Sequence, residues 1–223
     1  MKTFNFLLIS GILAASMFFV AGCKSDGHND SNTDTGTDTG TTNYDPLTDE
    51  GVVINGIKWA TRNVDAPGTF AANPKSAGMF YQWNRKTGWS SSDPMINSDG
   101  GTEWNSSLPS GSSWGSGNDP CPQGWRVPTN HDLISLWDAK LENVQTSTHG
   151  YKFTDKNSGA SVFFPAAGGR HFTDGKLGAV GLSVCYWSST QYDQHNAYLL
   201  ADPNSYSYNY DKGQGQSVRC VAE

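Results

Sequence analysis

The chain has 223 residues, 15 of them basic and 21 acidic, and a formal net charge of −6. Charged side chains make up only 16% of it, whereas glycine occurs 25 times and tryptophan eight times. An acidic chain with no basic cluster excludes a nucleic-acid binder, and the abundance of glycine, serine and asparagine points to a loop-rich extracytoplasmic fold.

Residues 1–22 read as a secretory signal: Lys2, an apolar run from Phe4 to Val20, then Val20-Ala21-Gly22 before Cys23. Small residues ahead of a cysteine form a lipobox, so cleavage and acylation of Cys23 are expected. The apolar run barely reaches the ~20 residues that a membrane span needs, which disfavours an uncleaved anchor. Residues 23–50 read as a disordered acidic tether, with seven of the 21 acids, one lysine and Thr-Asp-Thr-Gly twice in succession from Thr33. Low hydrophobicity and net charge keep such a segment unfolded. Residues 51–223 hold all eight tryptophans, are close to neutral, and are long enough for one domain with a core.

Val52-Val53-Ile54 and Ile57-Lys58-Trp59-Ala60 flank Asn55-Gly56, a pattern that predicts a β-hairpin with a two-residue turn. Residues 61–73 read as a loop. Residues 74–83 read either as a short helix opened by Pro74 after Asn73, or as a strand at Phe80-Tyr81-Gln82-Trp83. Residues 86–119 form a long irregular segment punctuated by Trp89, Trp104 and Trp114, and loops of that length are usually functional or mobile. Pro120 and Pro122 stiffen the backbone around Cys121. Trp125-Arg126-Val127 reads as a strand, and Thr129 with Asp132 as a capping box. Leu133, Leu136, Trp137 and Leu141 then fall at helical spacing. Residues 143–150 read as a connector and 161–164 as a buried strand ending at Pro165. A glycine-rich stretch, 166–182, precedes strands at 184–188, 197–201, 205–210 and 217–222. Close-set strands with helices elsewhere predict an α+β domain with an antiparallel meander.

With Cys23 acylated, Cys121, Cys185 and Cys220 remain. One bridge is expected outside the cytoplasm, and spacing leaves all three pairings open.

The search for chemistry gives no catalytic set. Gly111-Ser112-Ser113-Trp114-Gly115 fits the Gly-x-Ser-x-Gly pattern, but the strand and helix that strain such a turn are missing around it. Asp30 to Asp34 lacks the glutamate that closes a calcium loop. His171 with Asp174, and Asp193 with His195, read as surface pairs rather than a metal site. Tyr206, Tyr208 and Tyr210 alternate and share one strand face, which reads equally as a platform for stacking on a sugar ring or a partner side chain and as a face that covers the core with the hydroxyls at its edge. Arg170, His171, Asp174 and Trp114 are the other candidates for ligand contact. No metal, cofactor or enzymatic activity is expected.

Asn118-Asp-Pro-Cys-Pro-Gln-Gly-Trp-Arg-Val-Pro-Thr129 resembles the signature of the Fibrobacter succinogenes major paralogous domain (FISUMP) family. Phe164-Pro-Ala-Ala-Gly-Gly-Arg170, Tyr186-Trp-Ser-Ser-Thr190 and Gly215-Gln-Ser-Val-Arg-Cys220 resemble it too. That resemblance implies a single C-type lectin-like domain, akin to the formylglycine-generating group, with long irregular loops. It implies a Cys121–Cys220 bridge, leaves Cys185 outside it, and places residues 168–182 among variable surface loops. It also implies a lipid-anchored outer-membrane protein that binds a glycan or an extracellular protein, or serves as an accessory subunit of a surface appendage. Lys24, rather than aspartate, after Cys23 agrees with outer-membrane residence.

Overall fold

A computed structural model describes residues 44–201 and 208–223. The expected signal segment, Cys23, most of the tether and Tyr206 lie outside the described residues. Within them the protein is β-rich: short antiparallel strands form four small sheets, and a single six-residue α-helix joins two 3-10 turns. No described helix is long and apolar enough to cross a membrane.

Strands β1 (Val52–Ile54) and β2 (Ile57–Trp59) form the expected hairpin. Asn55 and Gly56 turn it with φ of 49° and 84°, the positive values that this tight turn demands. The hairpin is held from below by Asp155, which accepts backbone N–H groups from Ser158, Asn55 and Asn157, each at 2.8 Å. Those three amides, Ser158 first, pull the Asp155 carboxyl down to a pKa of about 2. Because the folded value lies below the ordinary aspartate value of about 3.9, the stabilisation is complete above that value. It is lost as pH falls through about 2. A carboxyl titration followed by NMR should place the Asp155 midpoint near 2, and Asp155→Asn should flatten the acid limb of the stability profile between the two values. A midpoint near 4 would show that the three amides do not grip the carboxylate.

The C-terminal strand β15 (Val221–Ala222) inserts between β2 and β5 (Trp125–Arg126), giving the order β1-β2-β15-β5. Just before it, Cys220 is bonded to Cys121 across 99 residues, with Cα atoms 6.1 Å apart. Chain end and mid-chain loop are thus stapled where their strands pair.

Helix α1 (Asn130–Ser135) begins with the predicted capping box, the Thr129 hydroxyl accepting from the Asp132 amide while the Asp132 carboxylate accepts from Thr129 N–H at 2.8 Å. The helical stripe stops earlier than its spacing predicts. Leu133 and Leu136 are buried, whereas Trp137 and Leu141 are 39% and 37% exposed. Leu141 belongs to β6 (Lys140–Gln145), which pairs residue for residue with β7 (His149–Thr154), and β7 pairs with β8 (Ser161–Pro165). Two six-residue strands in full register outweigh an isolated helix of three turns, which is marginal in water. The expected connector at 143–150 is therefore mostly strand. At 74–83 the strand reading holds: β3 is Phe80–Gln82, and Gly78 has a φ of 68°, outside any right-handed helix.

Two further sheets complete the domain. One has β10 (Leu177–Gly178), β9 (Gly169–Arg170), β14 (Gly215–Gln216), β3 and β4 (Gly88–Trp89) in that order. The other is a meander of β11 (Tyr186–Gln191), β12 (Asn196–Leu200) and β13 (Tyr208–Asp211). Successive residues of a strand face opposite sides, and β11 uses this to divide the interior. Trp187 enters a core with Tyr81, Trp83, Phe70 and Val218, while Tyr186 enters another with Trp59, Phe153, Phe164 and Leu133. Two of the buried indoles are satisfied, Trp187 Nε1 donating to Tyr81 O and Trp83 Nε1 to Ser188 O, whereas Trp59 Nε1 has no hydrogen-bond partner among the described residues. Cys185 joins the first core, 9% exposed.

The folded unit starts earlier than residue 51. Asp49, its side chain 1% exposed, pairs with Arg62 Nε at 3.1 Å and accepts from Thr61 N and Oγ1. The Tyr44 hydroxyl donates to Phe70 O, and Phe70 N–H to Pro46 O. Residues 44–50, expected in the tether, are clasped to the domain because one buried carboxylate meets four donors there, the Gly51 amide included.

Candidate functional site

Strands β9 and β14 pair through Arg170 and Gly215. That register sets the glycine-rich segment beside the end of the meander, and a cleft of about 260 Å³ opens between them. Its lining comes from Gly168, Gly169, Gly178 and Ala179 of the glycine-rich segment together with Arg170, His171, Lys176 and Ser183, from Cys185 next to β11, from Tyr210 of β13, and from Gln214 and Gln216 of β14 and the turn before it.

Tyr210 is 41% exposed, so its ring is available to a ligand. Gln216 is 5% exposed, and its Oε1 has no hydrogen-bond partner among the described residues. A Cβ at residue 169 would approach that oxygen to 2.5 Å, so only glycine leaves the amide its place. That oxygen is sealed from solvent, and a buried acceptor without a donor costs about 1–3 kcal/mol. Lys176 of the lining is matched by a carboxylate. Asp174 accepts from the Lys176 backbone amide and pairs with Lys176 Nζ at 3.0 Å, while its Oδ1 lies 3.8 Å from His171 Nδ1. The Lys176 amide, then its ammonium, lower the Asp174 carboxyl below its ordinary range.

His171 and Tyr210 thus line one cleft, and Asp174 lies beside His171. Of Tyr208 only the backbone, in β13, is described. Arg170 also lines this cleft, but its guanidinium is not free for a ligand. It is 1% exposed, and its guanidinium is spent on Ser90 O and Ser92 O at 2.8 Å, Gly175 O at 2.7 Å and Asp93 at 3.3 Å. It pins the glycine-rich segment to residues 90–93. Trp114 is also a core residue: it is 8% exposed, packs edge-on against Trp83 and donates from Nε1 to Asn118 O. Trp89 and Trp104 pack at a tilt, 4.9 Å between ring centroids, and Trp104 Nε1 donates to Phe172 O, so these rings hold the long 86–119 segment down.

Ser113 of the Gly-x-Ser-x-Gly match forms a bridge with Thr190 rather than a strand-to-helix turn. Asp193 turns the β11–β12 connection by accepting the amides of His195 and Asn196. No group of three or more metal-ligating side chains occurs among the described residues. A larger cavity, about 580 Å³, lies beside the disulfide between Trp125, Arg126 and Glu223. Its half-buried carboxylate, Asp119, is already engaged by the amides of Cys121 and Val127, and burial raises its pKa. Gln214, Gln216, Ser183 and Cys185 are the cleft residues that sequence reasoning missed; Gln216 sits inside the Gly-Gln-Ser-Val-Arg-Cys motif, where it reads only as strand.

Fold and cleft together define a small, disulfide-stapled, β-rich domain with a recessed polar-aromatic site. The model of a family described as a domain of unknown function (DUF8237) matches residues 137–221, a span that contains every residue lining the cleft. No curated protein and no solved structure matches the chain.

Proposed function

We propose that the protein is a lipid-anchored module of the outer-membrane surface, of the FISUMP kind and C-type lectin-like in fold, which binds a glycan or an extracellular protein. The carrying observation is the cleft, whose lining brings the exposed Tyr210 together with Gln214, Gln216 and Ser183. Concave sites of mixed apolar and convergent polar lining are where small ligands bind. The membrane-distal role rests on the lipobox and on the acidic spacer ahead of the domain.

The test is retention of the full acylated protein, in detergent, on arrays of glycans and of extracellular proteins. At least one specific ligand is expected, and Tyr210→Ala should weaken it tenfold or more. A folded protein silent on both arrays would count against the reading. Protease shaving of whole cells checks the location, since a surface protein is digested.

A second reading, an accessory subunit of a surface appendage, is favoured by β6. This six-residue strand lies at the edge of the sheet β6-β7-β8, and an open edge accepts a strand from a neighbour. Crosslinking in intact cells should then recover appendage subunits through residues 140–145.

A further inference from the structure

We propose that the outer edge of β6 pairs antiparallel with the same strand of a second copy of this chain, in the register that brings Leu141 of the two copies together and sets Lys140 of each opposite Glu142 of the other. None of residues 140–145 lines the cleft, so the inference goes beyond the binding reading above and neither depends on the other.

The strand is open on its outer side and on both faces. It ends the sheet β6-β7-β8, and among the described residues no backbone-to-backbone hydrogen bond joins 140–145 to anything but β7. Five of its six residues are exposed. At the opposite edge, by contrast, β8 gives its Phe163 carbonyl to the buried Arg219 at 3.0 Å. An open edge of this kind is a template for another strand, and the side chains of β6 say which strand fits. In a symmetric antiparallel pair the two-fold axis stands perpendicular to the sheet, so each register is centred on one residue. Centred on Glu142, two carboxylates oppose each other, and centred on Lys140, two ammonium groups do; both destabilise. Centred on Asn143, Glu142 meets Val144 and Leu141 meets Gln145. Centred on Val144, Glu142 meets Thr146. Centred on Leu141, Lys140 meets Glu142 twice over and Leu141 meets Leu141. Residues alternate between faces, so Lys140, Glu142 and Lys152 of β7 share one side. Lys152 Nζ pairs with Glu142 at 2.7 Å, and the proposed register puts that carboxylate between two cations. On the other side Leu141 opposes Phe153, which is 2% exposed in a core, while Leu141 itself is 37% exposed. Leu141 therefore marks the rim of that core, and its counterpart extends the cover across the axis. So few residues bury less than the ~1,200 Å² of a standard interface, which makes the pair a weak one.

Sedimentation of the full acylated protein in detergent tests this, at up to about 1 mM, the effective concentration of partners held close together. A reversible dimer is expected. Lys140→Glu and Glu142→Lys each set like charges opposite one another and should weaken it about tenfold or more. An equimolar mixture of the two variants should dimerise at least as well as the parent, because every cross-strand contact in the mixed pair again joins opposite charges. Mild oxidation should link two copies of Leu141→Cys, whose residues face each other at the axis, but not two copies of Asn143→Cys, each opposite Ala139. All four substitutions are at exposed positions, where the fold tolerates them. The inference is overturned if the parent stays monomeric, if both charge variants dimerise as it does, if the mixture restores nothing, or if Asn143→Cys links faster than Leu141→Cys. A monomeric protein whose residues 140–145 crosslink to a different protein in intact cells would overturn it in favour of an appendage strand on the same edge, and ligand retention on the arrays would be untouched.

Discussion

Cys121→Ala/Cys220→Ala should lower the free energy of unfolding by about 4–5 kcal/mol. The bridge spans 99 residues, and in the chain-entropy account a closed loop of that length restricts the unfolded chain by about 4.7 kcal/mol. Small domains are stable by only about 5–15 kcal/mol, so the loss is a large share. It should be partitioned unevenly over the fold. Cys220 is fully buried and precedes β15, which is only two residues long and pairs with two strands. Without the staple that short strand has little to hold it, and the hairpin edge and the Cys121 loop should open first. Urea unfolding measures the total, and hydrogen exchange at Ala60 N–H, which donates to Cys220 O at 2.9 Å, measures the local part. A change below about 1 kcal/mol would mean that the unfolded chain is already compact or that the folded bridge is strained. Adding reductant to the unaltered protein should reproduce the effect, because Cys121 is only half-buried and borders the large cavity beside Trp125.

The sequence was legible where a short stretch carries its own chemistry. Asn55-Gly56 can turn a hairpin whatever surrounds it, and Thr129 with Asp132 satisfies helix amides within four residues. Both are found as expected. It was illegible where partners decide. Leu141 sits at helical spacing from Leu133 and Trp137, yet Phe153 opposite it in β7 claims it for a strand. Strands β9, β10 and β14 have two residues each, too few to show a period, and exist only through their register. The site follows the same division. Tyr210, His171 and Asp174 were chosen for chemistry that any exposed tyrosine, histidine or aspartate carries. Arg170 has the same type of chemistry and lines the same cleft, but its guanidinium is engaged by neighbours at 90–93 that lie about 80 residues away in the chain. Gln216 could not be chosen at all. Its interest is a missing donor, and a missing donor is a property of surroundings.

Arg219→Met should cost about 3–5 kcal/mol. Arg219 is fully buried, and its guanidinium donates to Asn63 Oδ1 at 2.8 Å, Ala60 O at 3.1 Å and Phe163 O at 3.0 Å while lying 4.8 Å from the Phe164 ring centroid. Burial lowers its pKa, but a guanidinium stays charged in a protein. Replacing a buried ion pair by apolar residues is often neutral, because both charges leave together. Here the cation leaves alone and three neutral acceptors stay behind. Each unmet acceptor costs about 1–3 kcal/mol, less whatever water or relaxation recovers, and a lost cation–π contact adds about 0.5–2 kcal/mol. The released desolvation cost of the cation offsets part of that sum, which brings the net to the range given. The damage should spread through Asn63, whose amide also donates to Ala77 O and to the Tyr186 hydroxyl, itself donating to Pro165 O. Arg219→Lys keeps the charge but replaces a planar fork with one point, so at most two of the three acceptors remain served, and it should fall between wild type and Met. Urea unfolding of the two variants, read at neutral pH, decides the matter: a Met variant as stable as the parent would show that the interior can close over the three carbonyl and amide oxygens, and that Arg219 is an expense of the fold rather than its tie.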